Sequence, residues 1–132
     1  MGVLVAVQRW RILDCDVLTK AGIRSRQLIW PKNAPESQAT ITHVTMERGS
    51  VSERHAHQRS EQIWIVEHGE GVLLLANEHT EIIRAGDIVR TPAGEIHGVV
   101  NNGNEPLVYL AVTTPPQDFS SAYDATTALD GG

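Results

Sequence analysis

Cysteine is all but missing from this chain: Cys15 stands alone among 132 residues, which excludes an intrachain disulfide. Asp14 and Asp16 flank it, and two neighbouring carboxylates disfavour the thiolate that a nucleophile would need. Also absent is any run of the ~20 apolar residues that a membrane-spanning helix requires. The apolar stretch at residues 2–7 is too short for an export signal and lacks its flanks. A reducing, cytoplasmic setting without a membrane partner is therefore expected. Lysine and arginine form no cluster and the net charge is −5, so no nucleic-acid partner is expected either. Arg24, Arg26, Arg48, Arg54 and Arg59 are scattered, as solvated surface residues are.

Helical periodicity is lacking as well. Short β-prone runs at residues 23–30, 39–46, 62–66, 71–76, 80–84, 87–90, 97–100 and 107–113 alternate with turn formers such as Trp30-Pro31, His68-Gly69, Ala85-Gly86 and Asn101-Asn102-Gly103. Many short strands at even spacing predict an all-β sandwich or barrel. The length suits a single core, and one domain is expected over residues 1–113. In the run 39–46, Thr40, Thr42, Val44 and Met46 share one face, and Ile41, His43 and Thr45 the other; the pattern leaves open which face is interior. Pro115-Pro116 stops the last strand. The small, polar tail at 114–132 is expected to be mobile or loosely packed, with Phe119 and Tyr123 as its anchors.

What the chain does have is a pattern of histidines. His55 and His57 stand at i and i+2, which on an extended strand points both rings one way. His97, delivered by a later strand, completes a set able to converge on one ion, and neutral imidazole is the commonest protein ligand for divalent transition metals. The spacing does not separate Fe, Mn, Ni, Zn or Cu. The string Gly49-x5-His55-x-His57 with Gly69, followed by Gly86-x5-Pro92-x-Gly94-x2-His97-x3-Asn101, resembles the paired motifs of the cupin superfamily. That resemblance spans residues 49–101 and implies a double-stranded β-helix barrel with one divalent metal between its sheets.

The resemblance also implies a fourth ligand shortly after His57. Counting forward along the loop gives Glu61, whereas counting back from Gly69 gives Gln62. Adjacent strand residues face opposite sides, so only one can reach the metal. Gln62 is preferred because the glycine count follows the regular strand. Ser60-Glu61-Gln62-Ile63 is also similar to the motif of pectin-degradation cupins that open unsaturated uronates, which hold a metal through three histidines and a glutamine. Glu61 is the alternative ligand and, failing that, a candidate proton carrier.

An all-neutral ligand set leaves the ion its full charge and favours Lewis-acid chemistry. The expected function is isomerisation, ring opening or elimination on a small oxygenated organic molecule. A metal-dependent dioxygenase and a non-catalytic ligand-binding module are the alternatives. His68 and His79 read as solvated turn residues, and His43 as a packed or subunit-facing one. Trp64 shares parity with Gln62, while Tyr109 is not placed by parity. A homodimer is expected by analogy with small cupins, whose sheets commonly pair.

Overall fold

Threonine, valine and isoleucine fill the strands, where β-branched side chains pack well on a pleated surface. The computed structural model describes residues 6–127, with side chains described through residue 124. Residues 2–5 of the apolar stretch and 128–132 of the tail lie outside the described residues. Strands β1 (Val17–Lys20), β2 (Ile23–Ile29), β3 (Thr40–Met46), β4 (Val51–His55), β5 (Glu61–His68), β6 (Glu70–Leu75), β7 (Thr80–Arg84), β8 (Ile88–Thr91), β9 (His97–Val100), β10 (Leu107–Thr114) and β11 (Ala125–Thr127) are joined by turns and short 3-10 segments. A seven-stranded sheet, ordered β11-β1-β2-β3-β10-β5-β8, faces a four-stranded sheet ordered β4-β9-β6-β7. Every pairing is antiparallel. Among the described residues no helix is long and apolar enough to cross a membrane.

Three of these strands leave little trace in the sequence. β1 is four residues long, β4 is a mostly exposed edge strand reading Val-Ser-Glu-Arg-His, and β11 is built from Ala and Thr. The core lies between the sheets, around Met46, Trp64, Val66, Val99 and Leu107. On β3 the face carrying Thr40, Thr42, Val44 and Met46 is interior, leaving Ile41 outside. The inward threonines are not a packing error. Thr40 donates to the Gln117 carbonyl at 2.8 Å and accepts from the Gln117 amide at 3.0 Å, and Thr42 borders a cavity.

Two glycines set the geometry. Gly69, between β5 and β6, has φ +80°, and a Cβ there would fall 2.3 Å from the Pro106 carbonyl oxygen. Gly98 on β9 lets β4 approach closely: a Cβ there would meet Ser52 O at 2.7 Å and Arg54 N at 2.9 Å. Asn101 closes the second motif as a turn tie, donating from one amide nitrogen to Met46 O and Glu105 O and accepting from Gly103 N.

The chain beyond β10 is attached to the barrel. Ser60 donates to Pro115 O at 2.7 Å, Asp124 N donates to Thr19 O at 2.9 Å, and β11 pairs with β1. Phe119 and Tyr123 are its anchors, as their apolar character implies, and both line the interior cavity.

Candidate metal centre

The pairing of β4 with β9 sets His55 directly opposite His97, with ring centroids 4.4 Å apart. β4 ends at His55, so His57 does not continue the strand as the i, i+2 spacing implies. It reaches the same point from the following loop, where its carbonyl accepts a hydrogen bond from Gly94 N at 2.8 Å. That bond joins the two halves of the histidine motif. The His57 ring stands 4.9 Å from His55 and 5.1 Å from His97. One nitrogen from each of the three rings lies within 4.8 Å of the others, spacing that could hold a metal ion.

The tautomers point the same way. His55 Nδ1 lies 2.7 Å from Glu53 O, and His97 Nδ1 lies 3.2 Å from Glu95 O. A carbonyl only accepts, so each Nδ1 carries the proton and each Nε2 keeps a bare lone pair. Nε2 of His57 and of His97 are buried and have no hydrogen-bond partner. Buried polar atoms are rarely left unpaired, and these two are positioned as ligand atoms are. Burial also favours the neutral form of the His57 and His97 rings. Desolvation, with His55 and His57 adding to it and the Glu95 carbonyl opposing, lowers His97 to about 4. Desolvation and then His55 lower His57.

Gln62 is buried on the inward face of β5 and borders the same cavity as His55 and His57. Its Oε1 accepts from the Trp64 indole N–H at 2.8 Å, and its Nε2 donates to the Thr113 hydroxyl at 3.0 Å. The two bonds fix the amide and leave one lone pair on Oε1. Glu61 faces the opposite side, as strand alternation requires, and pairs with Arg90 at 3.0 Å. It is not brought to the histidines, and no carboxylate joins their group among the described residues.

The cavity beside the histidines has a volume of about 470 Å³, within the range of small-molecule sites, roughly 300–1,000 Å³. Trp64 and Tyr109 stack at 4.5 Å on its inner wall, and Trp64 sets its ring at 72° to His97, 5.8 Å away. Tyr109 is thus interior. Phe119 packs edge-on against His57 at 5.5 Å. Burial raises the Tyr123 hydroxyl, partly offset by Ser25. Sequence reading does not single out Lys20, Ser25 or Thr42, which also border the cavity. Parity with Leu18 is the signal that places Lys20 inward.

The remaining histidines stand elsewhere. His43 lies on the outer sheet face, 3.0 Å from Glu67; His68 lies 3.4 Å from Glu105; and His79 is exposed. Cys15 is buried, and desolvation raises its thiol, with Arg26 opposing and Asp14 and Asp16 adding to the rise.

Known proteins are similar to this chain. An uncharacterized protein of Methanocaldococcus jannaschii is 31% identical over 99 residues, covering 75% of this chain and 78% of its own. An oxalate-binding protein of Thermotoga maritima is 34% identical over 82 residues, covering 61% of this chain and 67% of its own. The structure of KdgF from Halomonas sp. superposes with a TM-score of 0.64 at 24% identity, over 75% of this chain and 85% of that one. Residues 42–113, more than half of the chain, match the model of the cupin domain, and the protein belongs to the cupin family.

Proposed function

We propose that this cupin is a metal-dependent enzyme acting on a small oxygenated organic molecule by isomerisation, ring opening or elimination. His55, His57 and His97 would hold one divalent ion, with the Gln62 amide oxygen as fourth donor. The observation that carries this reading is the pair of buried, unpartnered Nε2 atoms on His57 and His97, held beside His55 in a cavity wide enough for a substrate. A divalent cation bound by neutral donors supplies undiminished Lewis acidity towards a carbonyl, hydroxyl or carboxylate oxygen.

The chain's own residues support that chemistry in specific ways. The Glu53 and Glu95 carbonyls keep Nδ1 protonated and aim each Nε2 inward. The Trp64 indole and the Thr113 hydroxyl hold the Gln62 amide in one orientation. Phe119 and the stacked Trp64–Tyr109 pair set aromatic surface against His57 and His97. Glu61, tied to Arg90 on the outer face, is not given the proton-carrier role in this reading.

Elemental analysis of protein purified without added metal is the direct test. About one equivalent of a divalent transition metal is expected in the wild type, and a loss of tenfold or more in affinity is expected for H97A. Retention of metal by H97A would overturn the ligand assignment. Turnover of a candidate substrate without dioxygen separates this reaction class from an oxygenase. A second reading, binding without turnover, is favoured by the likeness to an oxalate-binding protein. It predicts saturable binding of small carboxylates and no product.

A further inference from the structure

Lysine seldom shares the inward face of a strand, yet Lys20 does. It sits on the same side of β1 as buried Leu18 and pairs across to buried Ile23 on β2. Its ammonium lies 4.9 Å from the centroid of the Tyr123 ring. Both residues border the same cavity as His55 and His57. A π face attracts and positions the cation without occupying its N–H donors. No carboxylate lies within ion-pair distance of Lys20 among the described residues, whereas Arg24, Lys32, Arg84 and Arg90 each have one. Among the described residues the one acidic residue bordering the cavity is Glu53, which is exposed. The cavity therefore holds a positioned cation with an open valence.

The placement also carries a length. The segment ending in Tyr123 starts at Phe119, whose ring packs on His57. The 3-10 turn Ser120–Ala122 lies between them. At roughly 2.0 Å of rise per residue, Phe119 and Tyr123 are separated by on the order of 8 Å. The histidines and Lys20 thus border the cavity beside different residues of this segment, Phe119 and Tyr123.

Resting on the metal reading given above, we propose that Lys20 anchors the acidic end of an elongated substrate whose other end, an oxygen function, faces the three histidines. The substrate class is a molecule carrying a carboxylate remote from the oxygen at the metal, with a spacer between the two. A molecule as short as oxalate would meet one end of the site but not both.

The test is calorimetric titration of the Zn2+-loaded protein with adipate, hexanoate and oxalate. The wild type is expected to prefer adipate over hexanoate by about fivefold, the scale of one partly exposed ion pair. K20Q should erase that preference while leaving Zn2+ stoichiometry and the oxalate affinity unchanged, and K20R should keep most of it. Stoichiometric Zn2+ with equal affinity for adipate and hexanoate in the wild type would overturn the role of Lys20 alone, as would a preference that survives in K20Q. Failure of the wild type to bind Zn2+ would overturn the metal reading and this inference with it.

Discussion

At the scale of the residue, the histidines show how protonation couples to stability. In the folded chain burial brings His97 to about 4, against 6.5 for a solvated imidazole. Between those values the unfolded chain takes up a proton that the folded chain refuses, so stability falls as pH drops from about 6.5 towards 4. The size of that loss is on the order of 3 kcal/mol for His97. Thermal unfolding of metal-free protein across this range should show a falling midpoint, and H97Q should flatten the curve; a flat wild-type profile would contradict the burial argument. The identity of these residues was legible because the i, i+2 histidines fall within paired motifs, although His57 reaches the site from a loop and not from the strand that the spacing implies. The alternation of β5 likewise separated Gln62, facing the cavity, from Glu61, facing Arg90. Lys20 was missed because β1 is only four residues long and was not recognised as a strand, so its parity with Leu18 went unused.

At the scale of the element, the site depends on how closely β4 approaches β9. Gly98 allows that approach, and the atoms a side chain would strike belong to the backbone of β4, which cannot rotate away. G98A is expected to cost about 1–3 kcal/mol. Because β4 carries His55, the same change should weaken metal retention; chemical denaturation and elemental analysis read the two effects separately. An unchanged midpoint with full metal content would show that β4 shifts freely. The strands visible in the sequence are those with hydrophobic patterning, such as β3, β5 and β10. β4 escaped because an exposed edge strand needs no apolar alternation. β11 escaped because its pairing partner, β1, lies more than a hundred residues away in sequence.

At the scale of the whole molecule, the outer face of the seven-stranded sheet presents Ile41, Ile63, Ile65, Leu110 and Val112 side by side, with Val112 opposite both Ile41 and Ile63, and Leu110 opposite Ile65. Ile65 is 41% exposed and Ile88, its neighbour on β8, is 71% exposed. A contiguous apolar patch of this kind marks a contact surface, and a homodimer through this face is proposed. Light scattering at micromolar concentration should give twice the chain mass, and I65E should return the chain mass without loss of fold. A wild-type mass of one chain would overturn it. Sequence alone did not reveal that residues 115–124 complete the cavity. Gln117 and Asp124 of this segment bond to Thr40 and Thr19, which no local pattern connects to them.

The rings of His55 and His97 are oriented by main-chain carbonyls, not by acidic side chains. The residues lending those carbonyls, Glu53 and Glu95, are both exposed, and it is their main chain that meets the imidazoles. Evolution is therefore free to rewrite the letters at 53 and 95 without touching the imidazoles. A saturation library should find these two neighbours of the centre silent, while the histidines beside them tolerate almost nothing.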